Sequence, residues 1–461
     1  MGLQRHIGDK NFYRAALAVA LPIMIQNAIT NFVGMLDNIM VGQVGTAQMS
    51  GVAIVNQLLF VFNLCIFGAV SGAGIFTAQF AGSKDHTGVR YTFRFKILIC
   101  LLISTVGLVV FLAAGPQLIG LYLKGEGLVS DAGQYLQFGM DYLKVMLWGL
   151  LPFAIANAYA GTLRETGQTV VPMAAGISAV LLNLVLNYTL IYGHFGAPAM
   201  GVQGAALATV ISRYAELAIM AIWTGTHRKL EPFICGAFRS LYIPRQLLGR
   251  IIRKGMPLLI NEALWSSGMA ILSQCYSVRG LDVVPAVNIA NTIGNVFNVS
   301  YLAMGNAVGI IIGQKLGAGL PEEEVRSDDR KLIFLSVAVC LFFGAALFLI
   351  SNLFPQIYNT TDDIRSLASS FIRITAMMMP FCAFTNAAYF TLRSGGKTFV
   401  TFLFDSCFVW CVCVPLAFVL TRFSPLAIVP VYAICQGTEA VKCLLGGYMI
   451  HRGSWIQNIV E

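Results

Sequence analysis

The sequence is poor in charge. Of its 461 residues, 11% are Asp, Glu, Lys or Arg and 57% are hydrophobic. Ordinary soluble domains carry roughly 25% charged residues, so a soluble globule is excluded. Histidine is also scarce. His6, His86, His194, His227 and His451 fall in separate loops or termini, and no span end gathers His, Asp and Glu with acid–base spacing, so an integral-membrane enzyme is not expected. No phosphate loop of the form G-x-x-x-x-G-K-S/T occurs, so any pumping must draw on a gradient. The 11 cysteines include Cys65, Cys100, Cys340, Cys411 and Cys413 inside apolar runs. Cys407, Cys411 and Cys413 share one stretch without a second Cys/His group to complete a metal site. No secretory cleavage pattern or myristoylation signal is evident, so membrane association is expected to rest on spans.

Apolar runs of about 20 residues or more, enough to cross a bilayer, recur throughout. Twelve spans are expected, at about 15–42, 51–82, 93–116, 131–163, 169–193, 201–226, 250–277, 283–317, 330–353, 365–393, 398–420 and 427–450. The spacing predicts an all-α integral membrane protein. Its long basic segment, 225–250, would act as a cytoplasmic interlobe linker between a six-helix lobe at 1–224 and a second at 251–461. Most of the 30 Lys and Arg residues fall at the termini and in loops on their side, against Lys124, Arg279, Arg365 and Arg422 opposite. The positive-inside rule therefore puts both termini in the cytoplasm. The net charge of +9 is explained by that bias, and no nucleic-acid partner is expected.

The halves repeat. A shift of 235 lays Pro22 on Pro257, Asn56 on Asn291, Phe62 on Phe297, Asn63 on Asn298, Gly74 on Gly309, Gln79 on Gln314 and Gly82 on Gly317. Further on, PFAIANAYAGTLRETGQT from Pro152 resembles PFCAFTNAAYFTLRSGGKT from Pro380. There a shift of 229 pairs Asn157 with Asn386, Arg164 with Arg393 and Gly167 with Gly396. Six spans per half give both halves the same polarity, so the two lobes are parallel repeats about an axis along the membrane normal, an arrangement found in secondary transporters. Pro22, Pro152, Pro257 and Pro380 lie inside spans, where they free backbone carbonyls and permit bending.

A few polar residues lie inside these spans. Asp37 ends the run LPIMIQNAITNFVGMLDNIMVG. A charged group at the bilayer centre costs about 2.5–3.5 kcal/mol on insertion scales and normally faces protein or water. The alternative is a helix-end residue that is merely hydrated. Glu262 lies about 18 Å along its helix from Arg250 at 1.5 Å per residue, near mid-membrane. Asn288, Asn291, Asn295 and Asn298 form a polar stripe. Met377, Met378 and Met379 precede Pro380, and flexible methionine surfaces suit promiscuous binding, although core packing is the plainer role. Asp141 with Lys144, Arg213 with Glu216, and Glu439 with Lys442 can neutralise along one helix face at i, i+3. Lys144 and Arg373 precede the related prolines and fit lobe architecture. Asp405 has no partner nearby in sequence.

Several of these stretches resemble a known family. MLDNIMVG at the end of the first span, LR-x-x-G-x-T after the fourth and tenth, and NLVLNYTLIYG in the fifth are together similar to the multidrug and toxic compound extrusion (MATE) transporters. The resemblance runs over about residues 15–450. It implies two six-helix lobes, a central cavity, and efflux of organic cations driven by Na⁺ or H⁺. Asp37 matches the family's first-helix coupling carboxylate. Asn183 and Asn187, at i, i+4, with Thr209 complete a set of oxygen donors that suits Na⁺ or a protonatable acid; interhelical hydrogen bonding is the alternative for the asparagines. Archaeal-type members carry Asp where this chain has Asn187, a NorM-like departure that leaves a single negative charge. Glu262 resembles the seventh-helix glutamate of NorM-like members. Their tenth-helix aspartate has no counterpart between Cys382 and Asn386.

The resemblance predicts an antiporter, expected to be monomeric, and the short loops fit the bacterial inner (plasma) membrane. It would export amphipathic, often cationic, organic compounds against Na⁺ or H⁺. Asp37, Asn183, Asn187 and Thr209 would be the ion site, and Glu262, Asn291 and Met379 the substrate or proton site. A flippase for lipid-linked oligosaccharides or peptidoglycan precursors is the competing expectation. It would call for a basic cavity, whereas the recognisable candidates here are acidic or amide.

Overall fold

A computed structural model describes residues 8–122, 132–280, 282–358 and 360–460. Every described element is helical, and no strand occurs among the described residues. In a bilayer this follows from backbone chemistry. No water is present to satisfy exposed N–H and C=O groups, so a spanning segment must bond to itself as a helix.

The elements are α1 (Lys10–Gly42), α2 (Thr46–Gly82), α3 (His86–Tyr122), α4 (Ala132–Met146), α5 (Leu150–Glu165), α6 (Val170–Tyr192), α7 (Val202–Thr226), α8 (Arg245–Ser277), α9 (Val283–Gly317), α10 (Glu322–Ile350), α11 (Asp362–Ser394), α12 (Thr398–Phe402), α13 (Val414–Phe423) and α14 (Ile428–Arg452). A 3₁₀ turn, Leu147–Gly149, joins α4 to α5. Two π turns, Leu403–Cys407 and Val409–Cys413, join α12 to α13. With those joins counted as continuous, twelve helical runs correspond to the twelve expected spans. The fourth expected span begins at residue 131, and that residue and Lys124 lie outside the described residues.

Among the described residues, eleven runs are long and apolar enough to cross a membrane. The exception is α8, which is equally long but carries Arg245, Arg250, Arg253 and Lys254 in its first turns and Asn261 and Glu262 near its middle. Several helices start earlier than the apolar runs imply. The N-terminal turns of α10 hold Glu322, Glu323 and Glu324, where acidic side chains complement the helix dipole. Pro22, Pro257 and Pro380 lie within continuous helices. Pro152 instead sits in the first turn of α5 after the 3₁₀ turn, a position where no intrahelical hydrogen bond is lost.

The chain forms two compact units. One comprises Ile25–Thr77 and Asp85–Ile251, and the other Ile252–Glu461 with the segments ending at Met24 and spanning Ala78–Lys84. In the first, α6 packs on α7 and α3 on α5. Tyr192 at the end of α6 donates to Met40 O at 3.0 Å and to Gln43 Oε1 at 2.8 Å, which ties α6 to the end of α1.

In the second unit, α11 packs on α9, α10 and α14 around a core that includes Phe371, Ile372, Ala376 and Tyr432. The repeat-related ends of α2 and α9 meet there. A Cβ on Gly82 would lie 1.8 Å from Gln314 O, and one on Gly317 would lie 1.9 Å from Gln79 O. The contact is reciprocal, as a two-fold relation between repeated segments requires, and only glycine fits at either position. Gln79 also binds the C-terminal tail. Its Nε2 donates to Gln457 O at 3.1 Å and to Ser394 O at the end of α11 at 2.9 Å, and its Oε1 accepts from Ile459 N at 2.8 Å.

Candidate ion site and its relatives

Of the neutral donors expected around Asp37, the two asparagines can reach it, and Thr209 reaches Asn183. α1 brings Asp37, α6 brings Asn183 and Asn187 one turn apart, and α7 brings Thr209. Asn187 Nδ2 donates to Asp37 Oδ1 at 2.7 Å and to Asn183 Oδ1 at 3.1 Å. The Asn183 amide can stand either way round. In one orientation its nitrogen donates to Thr209 Oγ1 at 3.3 Å. Turned over, that nitrogen donates to both Asp37 oxygens at 3.0 Å. Asparagine orientation is inferred from such networks, and without a cation the second is favoured, because the first points the Asn183 oxygen at the carboxylate. Asn187 Oδ1 is buried and accepts no hydrogen bond.

This donor set fits a hard cation. It offers one carboxylate, two amide oxygens and a hydroxyl, and one of the amide oxygens is buried without a donor. Sodium and other hard cations take oxygen ligands of this kind. Without a cation, the same amides can turn their N–H groups to the carboxylate. No Lys, Arg or His lies within ion-pair distance of Asp37 among the described residues. Nearby, the buried Tyr142 donates to Asn56 Oδ1 at 3.2 Å and is within electrostatic reach of both Asp37 and Arg213.

The second-half residues do not assemble in the same way. Glu262 is half-buried, within electrostatic reach of Arg393 and Asp405. Asn291 is exposed, as are Asn288 and Asn295, while Asn298 is half-buried. Met379 is 1% exposed and packs in the core of its unit. Its flexible side chain therefore fills a packing gap, and Met379 is corrected from a substrate-facing residue to a core residue.

Asp405 does have a partner. Lys442 Nζ lies 2.8 Å from Asp405 Oδ1 and 4.0 Å from Glu439 Oε1. Asn261 Nδ2 donates to Asp405 Oδ2 at 3.1 Å, and Thr385 donates to Glu439 Oε2 at 2.9 Å. Asp405 stands in the first π turn, and such turns often occur at functional positions in helices. Of the three expected helical pairs, Glu439 with Lys442 alone comes within 4.0 Å. Arg213 instead lies over the Phe153 ring at 4.7 Å and donates to Gly149 O at 3.3 Å.

A further buried pair has no signal in the sequence spacing. Lys96 on α3, fully buried, pairs with Glu165 at the end of α5 and donates to Thr162 Oγ1 at 3.1 Å. A Cβ on Gly74 would lie 2.2 Å from Glu165 Oε1, so the glycine leaves the space that the carboxylate occupies. Lys96 and Glu165 are 69 positions apart. A hint existed only in the isolation of a lysine at the edge of an apolar run.

Twelve helical runs in repeated halves, with a carboxylate held by neutral donors inside a membrane helix, define a polytopic membrane transporter. The sequence model of the MatE family matches residues 22–189 and 257–419, one match in each half, and the chain belongs to that family of multidrug-efflux transporters. Among curated relatives, a probable multidrug resistance protein NorM of Thermotoga maritima is 25% identical over 414 residues, covering 89% of this chain and 86% of the relative. The multidrug resistance protein PmpM of Pseudomonas aeruginosa is 27% identical over 429 residues, 91% of this chain and 86% of the relative. A solved outward-facing conformation of a multidrug resistance MATE family transporter of the MOP superfamily superposes with a TM-score of 0.86 at 20% identity, covering 98% of each chain.

Proposed function

We propose that the protein is a secondary active antiporter of the inner (plasma) membrane with both termini in the cytoplasm, acting as a monomer. It exports amphipathic, cationic organic compounds in exchange for Na⁺ or H⁺. The observation that carries this reading is Asp37 held by Asn187 at 2.7 Å, with no basic partner among the described residues. A membrane carboxylate surrounded by neutral donors can gain and lose a small cation without breaking an internal ion pair.

In the proposed cycle, an ion entering from outside loads Asp37. The Asn183 and Asn187 amides and the Thr209 hydroxyl turn their oxygens toward Na⁺, or the carboxylate itself takes H⁺. Loading removes the negative charge and the hydrogen bonds it accepted, and so changes the relative stability of the two access states. The exported compound must prefer the ion-free state, because a ligand with equal affinity for both states shifts nothing. Glu262 and Asn291 are the second-half groups proposed to meet the substrate or a proton. The names of the NorM and PmpM relatives support a multidrug substrate range.

The test is transport of a fluorescent organic cation in proteoliposomes under an imposed Na⁺ or proton gradient, each alone. Uptake should follow one gradient and fall to the gradient-free level in Asp37→Asn, with thermal unfolding unchanged. Full gradient-driven transport in a folded Asp37→Asn protein would refute the reading. Scrambling of a lipid-linked sugar without any gradient effect would favour a flippase.

A further inference from the structure

The segment after α7 is long and basic, yet it is firmly seated. Arg94 on α3 donates to three of its carbonyls, Ala237 O at 2.8 Å, Tyr242 O at 2.9 Å and Gly236 O at 2.7 Å. Arg90 donates to Phe233 O at 3.2 Å. Phe233 is buried against Phe93, with ring centroids 5.1 Å apart. Thr166 at the end of α5 donates to Glu231 Oε1 at 3.1 Å. The inner side of the segment is therefore fixed by aromatic packing and by two guanidinium groups.

Its outer side is unusual for a loop. Leu230, Phe238, Leu241 and Tyr242 are each between 59% and 63% exposed. Arg228, Lys229, Arg239 and Arg245 stand among them, also exposed. The segment's one acid, Glu231, is buried on the inner side, so the outer face carries no acidic side chain.

Its depth is set by α3. The clasp at Arg90 and Arg94 lies seven to eleven positions before Leu101, where the exposed apolar face of α3 begins with Leu101, Leu102, Val106 and Val109. At 1.5 Å per residue, Arg94 is about 10 Å along the helix from that face, a separation that suits the headgroup layer. Bulky apolar and aromatic side chains mixed with Lys and Arg are the composition that settles at this boundary, with rings among the headgroups and bases on lipid phosphates.

We propose that residues 228–245 form a membrane-interface anchor, with Leu230, Phe238, Leu241 and Tyr242 inserted at the headgroup boundary and Arg228, Lys229, Arg239 and Arg245 on the phosphates of anionic phospholipids. The anchor rests on the transporter reading only for the side of the membrane it occupies. Because Arg90 and Arg94 bind its backbone, the anchor ties the lipid surface to α3 and α5 of its unit, and the anionic lipid content of that leaflet sets how firmly the segment is held.

The test uses the full chain in two vesicle preparations, phosphatidylcholine alone and phosphatidylcholine mixed with phosphatidylglycerol, each doped with phospholipid brominated near the headgroup end of the acyl chain. Phe238→Trp and Tyr242→Trp supply reporters at exposed positions, read as differences from the parent protein. Quenching is expected in both variants, stronger with phosphatidylglycerol. The added effect of the anionic lipid is expected to vanish in a background of Arg228→Gln, Lys229→Gln and Arg239→Gln. Each base removed should weaken the binding of anionic lipid about fivefold. Unquenched reporters would overturn the anchor and assign the face to a protein partner or to a second copy of the chain. Quenching indifferent to lipid charge, or unchanged by the three substitutions, would overturn the phosphate contacts. None of these readings requires transport, so failure of the antiporter cycle would leave the result interpretable.

Discussion

Glu231 makes the seating of the linker depend on pH. Its carboxyl is 3% exposed, and burial pushes its pKa from 4.5 up to about 7 although the Thr166 hydrogen bond pulls the other way. When the segment lifts away, the carboxyl meets water and returns to its ordinary value. Between pH 4.5 and about 7 the seated form thus binds more protons than the open form, so seating is strongest at or below pH 4.5 and weakens as pH rises to about 7. The shift corresponds to about 3 kcal/mol at most, a few hundredfold in the opening equilibrium. Arg90 and Arg94 bind the segment's backbone, and the His227 ring meets Thr226 and Trp223. All three remain in Glu231→Gln. The assay is hydrogen exchange of the amides from residue 231 to 243 in lipid nanodiscs across this pH range, corrected for the pH dependence of exchange itself. Protection should fall with rising pH in the parent protein and lose most of that slope in Glu231→Gln. An unchanged slope in the variant, or none in the parent, would refute the reasoning.

Other consequences are sharp. Lys442→Ala leaves Asp405 and Glu439 without their shared cation and should destabilise the protein by about 3–5 kcal/mol, read as a lower thermal unfolding temperature; Lys442→Met combined with Asp405→Asn should recover much of it. Gly82→Ala or Gly317→Ala forces a Cβ into a neighbouring carbonyl and should cost about 1–3 kcal/mol, the usual price of overpacking, with each single change similar because the contact is reciprocal. Trp455, fully buried with its Nε1 donating to Ile450 O at 3.1 Å, should cost about 3–5 kcal/mol on replacement by Ala, measured by thermal unfolding in detergent.

The fold was legible because membrane spans announce themselves by length and apolarity, and because glycine and amide positions keep a constant shift between the halves. The first-half site was legible for a related reason. Asn183 and Asn187 lie one turn apart, so a single helix delivers both to the Asp37 carboxylate. The Asp405–Lys442 pair joins residues 37 positions apart on different helices, and a local reading instead paired Lys442 with Glu439, the longer contact at 4.0 Å. Lys96 with Glu165 escaped for the same reason. Met379 misled because methionine composition records flexibility, not direction. Trp455 lies beyond the last expected span yet is buried: its backbone carbonyl lies against Gly395 and its Nε1 donates to the end of α14.

The two halves share ancestry in sequence but not in charge logic. In the first, Asp37 meets two amides, and any ion that binds there must come from solution. In the second, Lys442 already supplies a cation to Asp405 at 2.8 Å. That ammonium is tethered to the chain, and tethered groups act at effective concentrations that reach the millimolar range and above for short links. A free Na⁺ competing for Asp405 would have to displace it and leave Lys442 with the longer contact to Glu439 at 4.0 Å, a loss that approaches the roughly 3–5 kcal/mol of removing one partner of a buried pair. A free cation would therefore be held weakly at Asp405 unless the whole π-turn region rearranged, whereas amide rotations alone would turn oxygen donors toward one at Asp37. Charge placement thus sets the two halves apart: Asp37 has no basic partner, Asp405 has Lys442, and Glu262 has no ion-pair partner within 4.0 Å among the described residues.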